Sequence, residues 1–454
     1  MFSRRQILQA ASSGFGYLAF AGLSSALAAK EAKSLNPLSP KAPHFPATAK
    51  RVIFLFMQGG PSHVDTFDYK PQLSKDHGKQ GKYGGSLLGS PFEFHQRGDS
   101  GLWISELFKN VGNHADDLTL IRGMQCDQPV HPNATIQMHT GTAQFIRPSL
   151  GSWTVYGLGT ENESMPGFIS MSPANGAGTY ASAFLPSVYS GARIGRGGRR
   201  GMPAAGGETV PDIKSPHLDE RLQRRQLDFV QALNREKLAR EQVHPEVEGA
   251  IESFELAFRM QGEMPELMDL SGETKETLAM YGVNEGPTDN FGKQCLLARR
   301  FAEAGVRFIE VTFGGWDQHA NLTTTLRTRA EAVDKPIAGL LQDLKQRDLL
   351  KDTLVIWGGE FGRTPASQGP DGRNHNNKGF TTWMAGGGVK GGFSYGATDE
   401  HGYEAVDRPC HVHDWHATIL HLLGLDHEQL TYRYGGRDYR LTDVHGNVAK
   451  EIIA

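Results

Sequence analysis

Apolar residues in this chain come in short unbroken runs, and each run stops at glycine or at a crowd of polar side chains. The runs at 52–57 (VIFLFM), 118–121 (LTLI), 306–313 (VRFIEVTF) and 353–357 (TLVIW) are rich in β-branched and aromatic residues, and 380–385 (FTTWMA) is a fifth. Runs of this length without alternation predict strands covered on both faces. Between them lie helix-spaced patterns at 104–115, 290–304, 326–350 and 413–423, with Leu340, Leu341, Leu344 and Leu349 on one face. Strands alternating with helices predict an α/β fold: a mainly parallel sheet with helices on both faces. Residues 215–282 are densely charged and predict a helical insertion, with Phe229, Leu233 and Leu238 on its apolar side. No period of 20–50 residues recurs, which excludes a repeat architecture.

In parallel sheets, ligands bind beyond the carboxyl ends of the strands. The residues just past each run are therefore the informative ones. After 52–57 comes QGGPSHVD, with Gln58, Ser62, His63 and Asp65, and then Asp68. After 118–121 comes RGMQCDQPVHPN, with Cys126, Asp127, His131 and Asn133. After 306–313 comes GGWDQHAN, with Asp317 and His319, and after 353–357 comes GGEFGRT, with Glu360 and Arg363. Three of the four pass through a Gly-Gly pair, which lets backbone come close to a ligand. Asp317, His319, Glu360 and the downstream His375 form a candidate metal set. Mixed oxygen and imidazole donors suit Zn, Mn or Fe better than Ca or Mg. The alternative is a hydrogen-bonded polar cluster that fixes loops. Arg363 has two readings as well: a forked contact to phosphate or sulfate oxygens, or a salt bridge that holds the loop. Arg373 and Lys378, which flank His375, could balance anionic charge.

These motifs carry a resemblance. QGGPSHVDTFD, TGTAQFIRPSLGSW, GWDQHAN, GGEFGRTP and DWHATILHLLG resemble the secreted, sulfatase-like bacterial proteins of the domain of unknown function 1501 family. More broadly, the order of acids and histidines resembles the alkaline-phosphatase superfamily of phosphatases, sulfatases and phosphoglycerate mutases. The resemblance implies an alkaline-phosphatase-like α/β fold and one or two divalent ions. It implies Asp317, His319 and His375 as ligands of a first metal, although Asp-x-His is shorter than the usual spacing. For a second metal it implies Glu360, but Phe361 stands where a histidine is expected and Gln58 where an acid is expected. Asp65 or His63 would have to bend back and substitute. Sulfatases resemble Cys/Ser-x-Pro-Ser-Arg-x4-Thr-Gly at a helix start; here the counterpart is HPNATIQMHTG. His131 stands at the nucleophile position, with the alternative roles of metal ligand and nucleophile, and the absence of Cys or Ser argues against formylglycine chemistry. The implied activity is an exported metal-dependent hydrolase of phosphate or sulfate esters, its substrate a small-molecule or polysaccharide ester. The alternatives are a non-catalytic protein binding an anionic polysaccharide, and a mutase-type phosphotransferase.

Composition narrows this only at the margins. The formal charge of the 454 residues is -3, so no global field recruits nucleic acid or membrane. Three cysteines, Cys126, Cys295 and Cys410, give neither a disulfide framework nor a thiolate cluster. Residues 1–28 contain Ser3-Arg4-Arg5, an apolar stretch and Ala26-Leu27-Ala28. They read as a twin-arginine-type signal peptide, placing the protein in the periplasm or outside the cell without a permanent membrane span. Residues 29–50 read as a linker and 51–454 as one large domain. SGARIGRGGRRGMPAAGGE at 190–208 reads as a loop, solvated or anion-binding. In the C-terminal HVHDWHATILHLLGLDHEQL, His411 and His413 are further candidate ligands, on a helix that the superfamily uses mainly as structure.

Overall fold

The computed structural model describes residues 36–174, 177–195, 219–241 and 245–454. The signal segment and most of the Gly/Arg-rich stretch lie outside these residues. The strands that build the main sheet and its rim are β1 (Arg51–Gln58), β2 (Leu118–Gln125), β3 (Phe168–Met171), β4 (Ala192–Ile194), β5 (Phe308–Gly314), β6 (Thr353–Gly358), β7 (Gly362–Ser367), β8 (Arg373–Asn376), β9 (Phe380–Ala385), β10 (Phe393–Tyr395) and β11 (Cys410–His411). The principal helices are α1 (His131–Thr140), α2 (Leu150–Leu158), α3 (Glu220–Glu241), α4 (Pro245–Met268), α5 (Asp289–Glu303), α6 (Leu322–Gln346) and α7 (Val412–Leu422).

Among the described residues, nine strands form one sheet in the order β10-β2-β9-β6-β1-β5-β3-β4, with β11 also beside β2. All neighbours pair in parallel except β9, which is antiparallel to both β2 and β6. The exception has a local cause. Between β6 and β9 the chain makes only the antiparallel β7–β8 hairpin and no crossover helix, so the next strand has to return in the opposite direction. The hairpin is left standing over the carboxyl end of the sheet.

Seven of the eight β1 residues are buried without alternation, as expected for a strand covered on both faces. On one face Phe54 and Phe56 meet His139 of α1, and Phe54 also meets Trp415 of α7. On the other, Arg51 donates to the Ala302 carbonyl of α5 at 3.1 Å. Trp357 and Trp383 are register partners on β6 and β9, and their rings stack at 6.2 Å. Gln58 pairs with Gly314 and Phe56 with Gly358, so three adjacent strands end level and their turns open on one edge.

Two sequence expectations change. The helix expected at 104–115 is instead a strand, Leu102–Ser105, followed by 3-10 turns at Glu106–Phe108 and Val111–Asp117. The buried Asp334 carboxylate of α6 accepts from the Asn110 and Val111 backbone at 3.0 and 2.8 Å, which satisfies that segment without an α-helix. In the 215–282 region α3 packs on α4, but Phe229 and Leu233 are 67% and 51% exposed. The opposite face of α3 packs on α4 instead: there Gln231 is buried and donates to the Ile251 carbonyl at 2.7 Å, and the Arg224–Glu255 fork closes the helix pair. The Leu238 side chain lies outside the described residues.

Candidate metal centre

Four donors converge over the carboxyl edge of the sheet. His131 opens α1 after β2, Asp317 and His319 lie in the turn between β5 and α6, and His375 lies on β8. Their donor atoms all lie within 4.8 Å of one another. The Nε2 atoms of His131, His319 and His375 are 3.0, 2.8 and 3.4 Å from Asp317 Oδ1, and those of His319 and His375 are 2.9 Å apart.

The other ring nitrogens point outward, each to an acceptor. His131 Nδ1 donates to Glu360 Oε1 at 2.6 Å, His319 Nδ1 to Gln368 Oε1 at 2.6 Å, and His375 Nδ1 to the Pro129 carbonyl at 2.7 Å. An imidazole that donates through Nδ1 presents a lone pair at Nε2 when neutral. With all three rings neutral, three lone pairs and a carboxylate oxygen would face one point. His131 Nε2 is buried and near Asp317 without an aligned hydrogen bond, as for an atom that lacks a cation. The donor set therefore fits a divalent metal, with outer acceptors fixing each ring's tautomer and orientation.

Electrostatics agree with a cation-binding pocket. Burial raises the Asp317 carboxyl, but the neighbouring His131, His375 and Arg363 outweigh it and hold the group far below the usual carboxylate range. Burial lowers the His131 imidazole, but Asp317 and Glu360 outweigh it and bring it up to about 9.

Glu360, expected as a ligand, is not among the four. It is fully buried, and its oxygens accept from the Gly59 N–H at 3.0 and 3.1 Å as well as from His131, so it orients a ligand from behind. Arg363, read either as a contact to substrate oxygens or as a salt bridge that holds the loop, is also fully buried and makes the salt bridge. Its guanidinium donates to Gly60 O at 2.9 Å, Trp316 O at 3.3 Å, Gly59 O and Asp317 Oδ1 at 2.6 Å, and so locks the Asp317 turn onto the β1 turn. His63 and Asp65, proposed as substitute ligands, stay out of the cluster. His63 Nε2 is 2.9 Å from Gly402 O, and burial pulls its pKa down. Asp65 accepts a two-pronged contact from the buried Arg373 at 2.7 and 3.0 Å, plus Ser62 Oγ at 2.5 Å. Arg373 is thereby spent on Asp65. The Gly-Gly-Pro turn is a wall of the site through these supports.

His411 and His413 also lie outside the cluster; His411 reaches Asp127 at 3.2 Å. Cys126 is buried with its thiol on Gln128 O and Glu360 O at 3.4 and 3.3 Å, and burial pushes it up to about 12. Sequence reading missed Gln368 and the Pro129 carbonyl, which hold two of the histidines. It also missed the buried His139–Glu310 pair at 3.2 Å, although a glutamate inside the apolar run VRFIEVTF signals a buried partner.

Comparisons place the chain in the family described as Protein of unknown function (DUF1501): the family model matches residues 49–453, and the chain belongs to it. No curated protein matched the sequence. Among solved structures, the chain is similar to the lipoteichoic acid synthase LtaP from Listeria monocytogenes, with a TM-score of 0.38, 9% identity, and 91% and 80% of the two chains covered. It is also similar to the PsFucS1 sulfatase from Pseudoalteromonas sp., with a TM-score of 0.35, 12% identity, and 84% and 68% covered. The alkaline phosphatase from the Antarctic bacterium TAB5 matches with a TM-score of 0.33, 14% identity, and 83% and 98% covered. Among the described residues, no helix is long and apolar enough to cross a membrane.

Proposed function

We propose that the chain is an exported hydrolase of phosphate or sulfate esters that works with one divalent ion, Zn, Mn or Fe, held by His131, Asp317, His319 and His375. The observation that carries this reading is the convergence of three Nε2 atoms on one carboxylate oxygen while every Nδ1 is tied outward. A divalent ion at such a site brings the pKa of its water towards about 7 and polarises an ester oxygen. Glu360 accepts from His131 Nδ1, so that an ion at Nε2 would take the place of the proton that Asp317 otherwise holds there. Gln368 and Pro129 accept from Nδ1 of His319 and His375. Arg363 fixes the Asp317 carboxylate.

One ion fits better than two. Both Glu360 oxygens are committed to Gly59 and one also to His131, and the Phe361 ring packs on His131 and His375 at 4.7 and 4.6 Å. Direct attack by water fits better than a covalent intermediate. The position that carries the nucleophile in sulfatase-like motifs is His131, whose two ring nitrogens face Glu360 and Asp317, and the Cys126 thiol is buried and held protonated. The double-arginine segment at the N-terminus supports export.

The test is elemental analysis of mature protein purified without chelator, beside an Asp317→Ala/His319→Ala variant, followed by turnover of 4-nitrophenyl phosphate and 4-nitrophenyl sulfate. One equivalent of metal, lost in the variant together with turnover, is the expected result. No metal in either protein after reconstitution overturns the site, and bound metal without turnover of either ester overturns the hydrolase reading.

A further inference from the structure

We infer that the hollow beside the metal centre is a binding subsite for an acidic sugar, a polyhydroxylated ring bearing a carboxylate, so that the proposed ester substrate is carried on an anionic carbohydrate. The inference rests on reading the neighbouring centre as the place of ester cleavage. The hollow has a volume of about 500 Å³, within the range of small-ligand sites. Its wall includes His375, a candidate metal ligand, and Gln368, which supports His319, so an occupant lies against the cluster.

The wall chemistry selects the ligand. Hydroxyls, amides and one ammonium dominate it; no carboxylate lines it, and its one aliphatic side chain is Ala366. Such a surface does not favour an acyl chain or other apolar group, which would leave buried polar groups without partners. The direction of the hydrogen bonds then narrows the choice. Gln368 spends its amide oxygen on His319 Nδ1–H, and Asn374 spends its own on the His375 backbone N–H at 2.8 Å. Their NH2 groups make no hydrogen bond to the described residues and remain as donors. Lys378 adds an ammonium, 60% exposed and 3.6 Å from Glu404. Lys82, 2.8 Å from Glu404, already answers that carboxylate, so two amide donors and two lysines sharing one acid favour an acceptor-rich, negatively charged ligand. Ser367 offers a hydroxyl that can donate or accept, which suits a ring of hydroxyls. Tyr83 supplies a platform. Its hydroxyl is anchored on Glu404, the Tyr403 ring stands at 90° to it at 5.4 Å, the Lys82 and Lys378 ammoniums lie over it at 5.0 and 5.3 Å, and Tyr83 is still 59% exposed. The uncovered part of an aromatic ring fixed in this way packs against the C–H face of a pyranose at little cost in side-chain entropy, with the two ammoniums beside it for the carboxylate.

The subsite is read by titration calorimetry with a uronic-acid disaccharide and with neutral cellobiose. Both metal-loaded and chelated protein are used, the latter so that no carboxylate binds through the ion. Preference for the acidic disaccharide that persists without metal is expected. Lys378→Met is expected to remove the preference, about a fivefold loss for the acidic ligand. Tyr83→Ala is expected to weaken both ligands. Equal binding of both sugars, binding only in the metal-loaded protein, or no effect of either variant overturns the subsite. The hydrolase reading fails separately. If the acidic disaccharide binds and both variants respond but no 4-nitrophenyl ester is turned over, the subsite stands and the hydrolase falls. If esters are turned over while neither sugar binds, the subsite falls and the hydrolase stands.

Discussion

At the residue scale the site is a matter of where protons sit. An imidazole ligates through one nitrogen only if the other has somewhere to put its hydrogen, and the three acceptors here differ in kind. Glu360 offers a carboxyl oxygen, Gln368 an amide oxygen, and Pro129 a main-chain carbonyl. Glu360 also accepts the Gly59 N–H, so Glu360→Gln sets an amide NH2 against a donor it cannot satisfy. Metal affinity of Glu360→Gln is expected to fall roughly 10–100-fold in a competitive chelator titration. An unchanged affinity would make Glu360 a folding residue alone. The pair below it behaves differently. Arg373 and Asp65 are fully buried and joined by two bonds, so Arg373→Met strands a carboxylate in the interior. Urea unfolding is expected to show a loss of about 3–5 kcal/mol, with much of it recovered in Asp65→Leu/Arg373→Met, where no charge is left alone. A double variant as unstable as the single one would contradict this.

At the element scale the turn after β1 sets how close two strand ends come. Gly59 has φ +119°, and a Cβ on it would stand 2.7 Å from Asp317 N and 2.8 Å from Trp316 N. Those atoms are backbone and cannot rotate away. Gly59→Ala should therefore push the Asp317 turn off the cluster. It is expected to lower both metal affinity and the urea midpoint. Gly78 makes the control, since its φ is +83° with nothing within 4 Å. Gly78→Ala should show conformational strain alone, roughly 1–3 kcal/mol, with metal content intact. This is also where the sequence was legible and where it was not. The strand ends could be read because apolar runs with a β-branched bias stop abruptly, and position marks Asp317, His319 and His375, together with Glu360, as a candidate metal set, from which the resemblance singles out the first three. The division between ligand and support could not. Glu360 and His131 sit in turns of the same polar look, and their roles depend on a 2.6 Å contact across 229 residues. Asp65 reads only as a substitute for the acid missing at Gln58, and its actual partner, Arg373, is 308 residues away. The β7–β8 hairpin has polar faces over the sheet edge, so no apolar period marked it, and Gln368 went unread with it.

At the scale of the whole molecule, the buried histidines set how stability depends on pH. His413 and His416 sit on α7 against the sheet. Burial is the main cause that takes His413 down to about 4 and His416 down to about 3. His413 is faced by His411 and His445, which lower it further, and by Asp127 and Asp414, which oppose this. Between the ordinary histidine value of 6.5 and these folded values, the unfolded chain binds protons that the folded chain refuses. Stability therefore falls as pH drops through that window, by at most about 1.4 kcal/mol per pH unit for each histidine. His139 has the opposite sign. Burial lowers it, but Glu310 outweighs burial and leaves it raised. Its contribution is fully present below the unfolded value and is lost as pH rises through the folded one. Stability should thus peak between an acid limb to which His413, His416 and His63 contribute and an alkaline limb to which His139 and, in metal-free protein, His131 contribute. Unfolding midpoints in urea from pH 4 to pH 9 test this. His413→Asn is expected to flatten the acid limb without moving the alkaline one, because the residue removed titrates only on the acid side. If the acid limb keeps its slope in that variant, proton uptake by His413 on unfolding is not its cause, and the carboxylates paired across the sheet edge become the groups that govern it.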